Sequence, residues 1–196
     1  MTSYCQIIGI CGHKSNGKDT IADYLVKNYC YTKVSFGDTL KKAIQEIFGF
    51  SDQQLWGNEK ETVDKFWKLS PRSALQYIGT DCMRNQFGSA FPNIGDNIWV
   101  MALRCKIDKL LSSGVSRIVI PDVRFPNEET MIRLFNGIIL RVNRNSVVSS
   151  DNHISENLID KIHIDYCVEN NTFQQLYRDV DKIMLTIHTQ YGECSE

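Results

Sequence analysis

The sequence predicts an α/β fold, a three-layer sandwich in which a mostly parallel five-stranded sheet is covered by helices on both faces. Three observations predict it. Short apolar runs of strand length alternate with longer stretches of helical periodicity. The runs are continuously apolar, as strands buried on both faces are. The 196 residues, 42% hydrophobic and 23% charged, suit one globular domain with a sizeable core. No linker, repeat or low-complexity segment breaks the chain, so 1–196 reads as a single domain.

The elements follow in order. Gln6–Cys11 (QIIGIC) reads as a buried strand, and Asp19–Tyr29 as a helix with Ile21, Tyr24 and Leu25 on one face. Lys33–Phe36 (KVSF) is a short strand. Asp38 caps a helix whose stripe is Leu40, Ile44, Ile47 and Phe48, ended by Gly49. Ser70-Pro71 opens another helix, with Ser as cap and Pro in the first turn. A helix from about Asn97 to Leu111 turns Val100, Leu103, Ile107, Leu110 and Leu111 inward. Arg117–Pro121 (RIVIP) is a buried strand, Glu128–Phe135 a helix, Gly137–Val142 (GIILRV) a strand and Asp165–Val168 (DYCV) the last strand. Thr172 and Gln175 form a capping box. The helix after them carries Phe173, Leu176, Tyr177, Val180, Ile183, Met184 and Ile187 as one stripe.

Between the first strand and first helix stands GHKSNGKDT, Gly12 to Thr20. It matches the phosphate-binding pattern G-x-x-x-x-G-K, but Asp19 replaces the following hydroxyl residue. An ordinary strand-turn-helix link also contains Gly and Lys. The setting favours the phosphate reading, because a helix N-terminus offers unbonded N–H groups and partial positive charge. Lys18 reaches terminal phosphates, and Asp19 or the adjacent Thr20 holds Mg²⁺ directly or through water.

In SPRSALQYIGTDCMRNQF, the residues Arg72, Gln76, Gly79, Thr80 and Arg84 share one side of a helix at roughly 100° per residue. Solvated helix faces do this too. The stripe holds no Lys or Glu, however, and Gly79 costs helix stability, about 1 kcal/mol against Ala. Close approach of a base or phosphate explains such a glycine. Lys41 and Lys42, in the first turn after Asp38, are either exposed lysines or a second anion site. Asp122 sits just beyond the RIVIP strand, at the edge where such sheets bind ligands. It either caps the turn, or holds Mg²⁺ through water or accepts the proton of a substrate hydroxyl or phosphate, with Arg124 pairing phosphate oxygens. The polar, serine-rich segment after Val142, with Arg141 and Arg144, is either a plain exposed loop or a flap that closes on transferring phosphate.

These pieces in this order, G-x-K-x-x-G-K-D-T, SFGDTLKKAI, LQYIGTDCMR, DVRFPNE and D-x-H-x-S-E, resemble the deoxynucleoside monophosphate kinases of tailed phages and large DNA viruses. These are P-loop kinases related to adenylate kinase. The resemblance implies ATP and Mg²⁺ as donor and cofactor, and deoxynucleoside monophosphates as acceptors. It implies that the G-K-D form is normal for the loop, so Lys14, Ser15, Asn16, Gly17, Lys18, Asp19 and Thr20 bind ATP and Mg²⁺. It implies catalytic roles for Lys18, Asp19, Asp122, Arg124 and Arg144, and metal contacts from Asp19, Thr20 and Asp122. Asp38, Lys41, Arg72, Gln76, Gly79, Thr80 and Arg84 then line the acceptor site within about 37–95, with Trp99 stacking on the acceptor base. A core or surface Trp is the plainer reading of Trp99. Arg141 or Arg144 belongs to a lid over about 143–156, and Asn170 contacts adenine. His153, Ser155 and Glu156 match a family motif without a chemical role. Other P-loop kinases, of phosphomevalonate or dephospho-coenzyme A, share the general pattern, and a non-catalytic ATP-binding module is a further alternative.

Composition bounds the rest. A net charge of −1 speaks against generic nucleic-acid binding. Seven cysteines, an odd number without C-x-x-C spacing, read as buried thiols of a reducing compartment and not as disulfides or metal ligands. With neither a signal peptide nor a ~20-residue apolar run, the expected setting is the cytosol, a host's if the gene is viral, away from membranes. A homodimer is compatible with the sequence.

Overall fold

The structure is a computed structural model that describes residues 6–144 and 158–192, with side chains to Thr189. The chain forms two compact units, one of Met1–Val34 with Leu110–Glu196 and one of Ser35–Lys109.

The first unit is built on five strands, β1 Gln6–Cys11, β2 Thr32–Lys33, β3 Arg117–Val123, β4 Ile138–Asn143 and β5 Tyr166–Glu169. They form one parallel sheet in the order β2-β3-β1-β4-β5. All six residues of β1 are buried, including polar Gln6, whose side-chain oxygen accepts from the Tyr31 hydroxyl. Helices α1 Lys18–Tyr29 and α8 Phe173–Gly192 cover one face. There Ile8, Ile10, Leu140, Val142 and Val168 meet Ile21, Leu25, Leu176, Val180, Met184 and Ile187. Each such side chain contributes about 1.5–3 kcal/mol on full burial, an upper value for a realistic unfolded chain. Gln175 N–H donates to the Thr172 hydroxyl at 3.2 Å, which starts α8 as its sequence predicts. Phe173, at the head of the predicted stripe, is instead exposed. On the opposite face, α7 Pro126–Leu134 comes so near β1 that a Cβ on Gly9 would lie 2.6 Å from the Ile132 methyl. Glu128, 2% exposed, starts α7 by accepting from the N–H groups of Arg124 at 2.8 Å and Phe125 at 3.1 Å.

Two strands differ from the sequence reading by more than one residue at an end. The second is Thr32–Lys33, not Lys33–Phe36, although Val34 N–H still bonds the Val119 carbonyl at 3.0 Å. The third runs to Val123, so Asp122 lies within it and not beyond it. Gly9 pairs with Ile120, but Cys11 with Val123, which marks a bulge in β3 at Pro121 and Asp122. Proline lacks an N–H and is tolerated at a bulge.

The second unit holds α2 Gly37–Phe48, α3 Asp52–Leu55, α4 Pro71–Gln76, a π-helical stretch Tyr77–Gln86, α5 Phe87–Ala90 and most of α6 Ile98–Ser112. Gly49 ends α2 in the left-handed region, as predicted, but Ile47 of the expected stripe is exposed. The core packs Ile44, Phe50, Leu55 and Ala74 with half-buried Leu40, Phe48, Leu69, Leu75 and Ile78. Trp67 closes it, its ring edge-on to Phe48 and its N–H on the Phe48 carbonyl at 2.8 Å. Ser70 caps α4 as expected. Helix α3 is additional, although its reciprocal Ser51–Gln54 cap is readable in S-D-Q-Q.

The thiols are less buried than the sequence suggests. Among the described residues all are free; Cys11 is buried and Cys82 half-buried, whereas Cys30, Cys105 and Cys167 are exposed. Cys30 follows α1 as its C-cap, and Cys105 and Cys167 stand on helix and strand positions that the fold leaves open. No described helix is long and apolar enough to cross a membrane.

Candidate functional site

The loop from Gly12 to Gly17 joins the carboxyl end of β1 to α1. Gly17 precedes α1 at φ 101° and, lacking a side chain, makes no side-chain cap to the helix. Gly12 has φ 146°, and a Cβ there would lie 2.5 Å from the Val142 carbonyl oxygen, so only glycine fits. Ser15 also takes positive φ, 65°. Lys18 is 9% exposed and curls back so that its Nζ donates to the carbonyls of Gly12 at 2.6 Å and His13 at 2.8 Å. An ammonium held by neutral carbonyls can exchange them for a stronger, anionic acceptor.

The loop is anchored from below. Asn16, 4% exposed, donates through its side-chain amide to the Val142 carbonyl at 3.1 Å, at the end of β4. Asn170, 7% exposed and just past β5, donates through its amide to the Asn16 main-chain carbonyl at 2.8 Å. Beside the loop opens a cavity of about 300 Å³ lined by Ser15, Gly17, Lys18, Asp19, Thr20, Arg144 and Asn170 to Phe173. The structure thus brings together most of the loop residues and Arg144. Lys14 lies on the loop, exposed.

Two predicted residues stand differently. The sequence reading has Asn170 as an adenine contact; its amide nitrogen bonds the loop carbonyl of Asn16, and the residue also lines the cavity. Arg141 is a β4 residue and not part of a lid, and its guanidinium binds the Asp160 carboxylate. Most of the predicted lid, with His153, Ser155 and Glu156, lies outside the described residues.

Asp19 is exposed, and its carboxylate pairs with Lys33 Nζ at 2.8 Å; Lys33 also binds Asp23 at 3.0 Å. Burial alone would pull the Lys33 ammonium down, but the bonds to Asp19 and Asp23 outweigh it and hold it above its ordinary value. Lys33, Phe173 and Asp160 escaped the sequence reading. A lysine at the end of a strand was the available signal for Lys33. Asp122 is half-buried in the β3 bulge, and Arg124 follows at the start of the α7 turn. Cys11, at the foot of the loop, is no nucleophile: burial pushes its thiol up to about 11, against the opposing pull of Arg141 and Lys18. Among the described residues no three His, Cys, Asp or Glu side chains gather as a metal cage. Mg²⁺ needs none, since it takes one or two protein oxygens with phosphate and water. Asp19 and Thr20, at the start of α1 and on the cavity wall, fit that requirement.

In the second unit the predicted acceptor residues occupy α2, α4, the π-helical stretch after it and, for Trp99, α6. Asp38 pairs with Lys106 at 3.1 Å, Lys41 lies 5.7 Å from the Trp56 ring centre, and Arg72 Nε meets Glu61 at 3.2 Å. The 100° stripe holds through Gln76, after which the helix widens to π geometry and its periodicity changes. Gly79 is buried, and the Leu40 methyl lies 2.5 Å from where its Cβ would be. The Leu40 side chain thus makes a close approach at Gly79 of the kind the sequence reading gives to a ligand. Trp99, 7% exposed, donates its indole N–H to the Gly79 carbonyl at 2.9 Å. The plainer reading of Trp99 as core is the one the structure supports, and base stacking is not. Arg84 is also buried, at 8% exposure, while Thr80 stays half-exposed.

The sequence profile described as deoxynucleotide monophosphate kinase matches residues 50–180. A protein of Acanthamoeba polyphaga mimivirus, provisionally named a deoxynucleotide monophosphate kinase, is 35% identical over 180 residues, 89% of this chain and 93% of that protein. Among solved structures, TT1252 from Thermus thermophilus has a TM-score of 0.54 at 18% identity and covers 93% of this chain and 97% of its own. A Chloroflexus aurantiacus protein provisionally named a kinase has a TM-score of 0.51 at 13% identity, covering 98% of this chain and 99% of its own. The two structures are similar in fold.

Proposed function

Since the chain belongs to the deoxynucleotide monophosphate kinase family, we propose that it transfers the γ-phosphoryl group of ATP to deoxynucleoside monophosphates, giving the diphosphates. The observation that carries the donor half is the loop from Gly12 to Thr20, with Lys18 buried against its carbonyls at the start of an uncapped helix. The donor's phosphates compete with those carbonyls for the ammonium, and the N–H groups of α1's first turn bind oxygen anions.

The acceptor's phosphate oxygen is already a nucleophile, so the reaction needs alignment and charge neutralisation more than acid–base catalysis. Lys18 and Arg144, both on the cavity wall, supply positive charge, and Arg124 adds to it. Mg²⁺, held by Asp19 or Thr20 with Asp122 acting through water, would screen the phosphates when bound. Lys33, already on Asp19, keeps that carboxylate neutralised in its absence. Recognition of the acceptor is assigned to the second unit, to Asp38, Lys41, Arg72, Gln76, Thr80 and Arg84, and no longer to Gly79 or Trp99. Cytosolic residence belongs to the same reading.

The test is direct. Purified protein with ATP and Mg²⁺ is offered each deoxynucleoside and ribonucleoside monophosphate, phosphomevalonate and dephospho-coenzyme A in turn, with products separated by chromatography. Diphosphate from at least one deoxynucleotide is expected. Turnover of only a non-nucleotide acceptor, or of none, overturns the proposal.

A further inference from the structure

We infer that Asn170 is a positioning residue for the phosphate loop and does not read the donor's base; the inference rests on the reading of Gly12–Thr20 as that loop. Three observations converge. The Asn170 amide donates to the main-chain carbonyl of Asn16 at 2.8 Å, in a buried setting. Its Nδ2 lies 2.3 Å from where a Cβ on Gly17 would be, so the amide packs directly against the Gly17 backbone and requires glycine there. Asn170 is itself fixed, its N–H bonding the Asn143 carbonyl at 2.8 Å.

The geometric consequence follows from one peptide plane. Among the described residues no peptide is cis, so the carbonyl of Asn16 and the N–H of Gly17 point in opposite directions. Holding that carbonyl down on Asn170 turns the Gly17 N–H to the other side, toward the phosphates. Gly17, at φ 101°, has no side chain to resist a flip of this peptide. The Asn170 amide is what resists it. A second amide, from Asn16 to the Val142 carbonyl, holds the same stretch to β4. The loop therefore keeps its anion-binding shape through bonds to the ends of β4 and β5, before any nucleotide arrives.

A base reader and a loop holder respond differently to different ligands. The test variant is Asn170→Leu, which keeps the branched shape and adds no charge but removes the donor. Binding of inorganic tripolyphosphate, ATP and GTP is measured by calorimetry, and steady-state kinetics give KM for ATP and for the monophosphate. The expected result is a loss of about tenfold for all three polyphosphates alike, the worth of one buried hydrogen bond. KM for ATP should rise by a similar factor, while KM for the monophosphate stays put, which general structural damage would not produce. Unchanged tripolyphosphate binding with an altered ATP-to-GTP ratio overturns the inference in favour of base reading. Unchanged binding throughout overturns it outright. Should Asn170→Leu fail to fold by its melting curve, Asn170→Ala is read against the same outcomes. Lys18→Ala separates the two levels: if it still binds tripolyphosphate normally, the phosphate-loop reading falls, whereas its loss beside a normal Asn170 variant removes only the role given to Asn170.

Discussion

Replacing Gly79 by Ala tests whether that glycine makes room for a protein side chain or for a ligand. The new Cβ would lie 2.5 Å from the Leu40 methyl, well inside the 3.4–4 Å of ordinary contact, so Leu40 must retreat by about 1 Å. Overpacking of this kind costs about 1–3 kcal/mol, and the gain from replacing a helical glycine returns about 0.4–1 kcal/mol. The net expectation is destabilisation of about 0–2.5 kcal/mol. Leu40→Ala alone, at a half-buried position, should cost about 2 kcal/mol. In the double variant the alanine methyl occupies the vacated space, so the pair should be more stable than the sum of the singles by about 1–2 kcal/mol. Urea denaturation of the four proteins gives this coupling from midpoints at a common slope. Strict additivity would refute the claim that Leu40 fills the space at Gly79. A KM for the monophosphate that rises in Gly79→Ala and stays raised in the double variant would restore the ligand-contact reading.

Trp99→Phe removes the indole N–H and leaves the Gly79 carbonyl buried; unfolding free energy should fall by about 1–3 kcal/mol, with KM for the monophosphate unchanged, as read by urea titration and kinetics. Gly12→Ala meets the Val142 carbonyl, which is backbone and does not yield, so ATP affinity measured by calorimetry should fall at least about tenfold, with a loss of about 2 kcal/mol or more in stability. Burial, then the charge of Arg117, holds the His188 imidazole below its ordinary value of 6.5. The unfolded chain therefore takes up that proton first as pH falls, so stability is full above 6.5 and declines as pH drops through the folded value. Urea midpoints between pH 7.5 and 5, a range about its ordinary titration, should decline more steeply for the wild type than for His188→Gln. Native alkylation at about pH 8 should spare Cys11, whose thiol stands at about 11, and modify exposed Cys30 and Cys105, as peptide mass mapping would show.

Much of the fold was legible because its signals are local. QIIGIC and GIILRV are buried strands for the same reason that they read as apolar runs, and Gly49 and Ser70 end and start helices through their own backbone chemistry. The loop at Gly12–Lys18 was legible because its glycines answer a local demand for positive φ. What escaped depends on partners far along the chain. The β3 bulge is a register relation with Gly9 and Cys11, and the Asp19–Lys33 pair joins the start of α1 to the end of β2. Gly79 was rightly singled out as a place of close approach, but its neighbour is Leu40 from another helix, which no spacing within its own segment announces. Base stacking by Trp99 came from the family resemblance alone, whereas its N–H serves a carbonyl twenty residues earlier.

The strand order has a bearing on synthesis. The central strand β1 is made before its two neighbours, β3 and β4, which come only after the whole of Ser35–Lys109. A nascent chain that has just completed residue 109 can already bring together Ile44, Phe50, Leu55 and Ala74, while QIIGIC waits without a mate and with its apolar groups bare. Pairings across so long a stretch form late and slowly. The turn from Gly12 to Gly17 should thus take its shape only after β3 and β4 have left the ribosome, and the waiting strand β1 is the segment most in need of a chaperone's shelter.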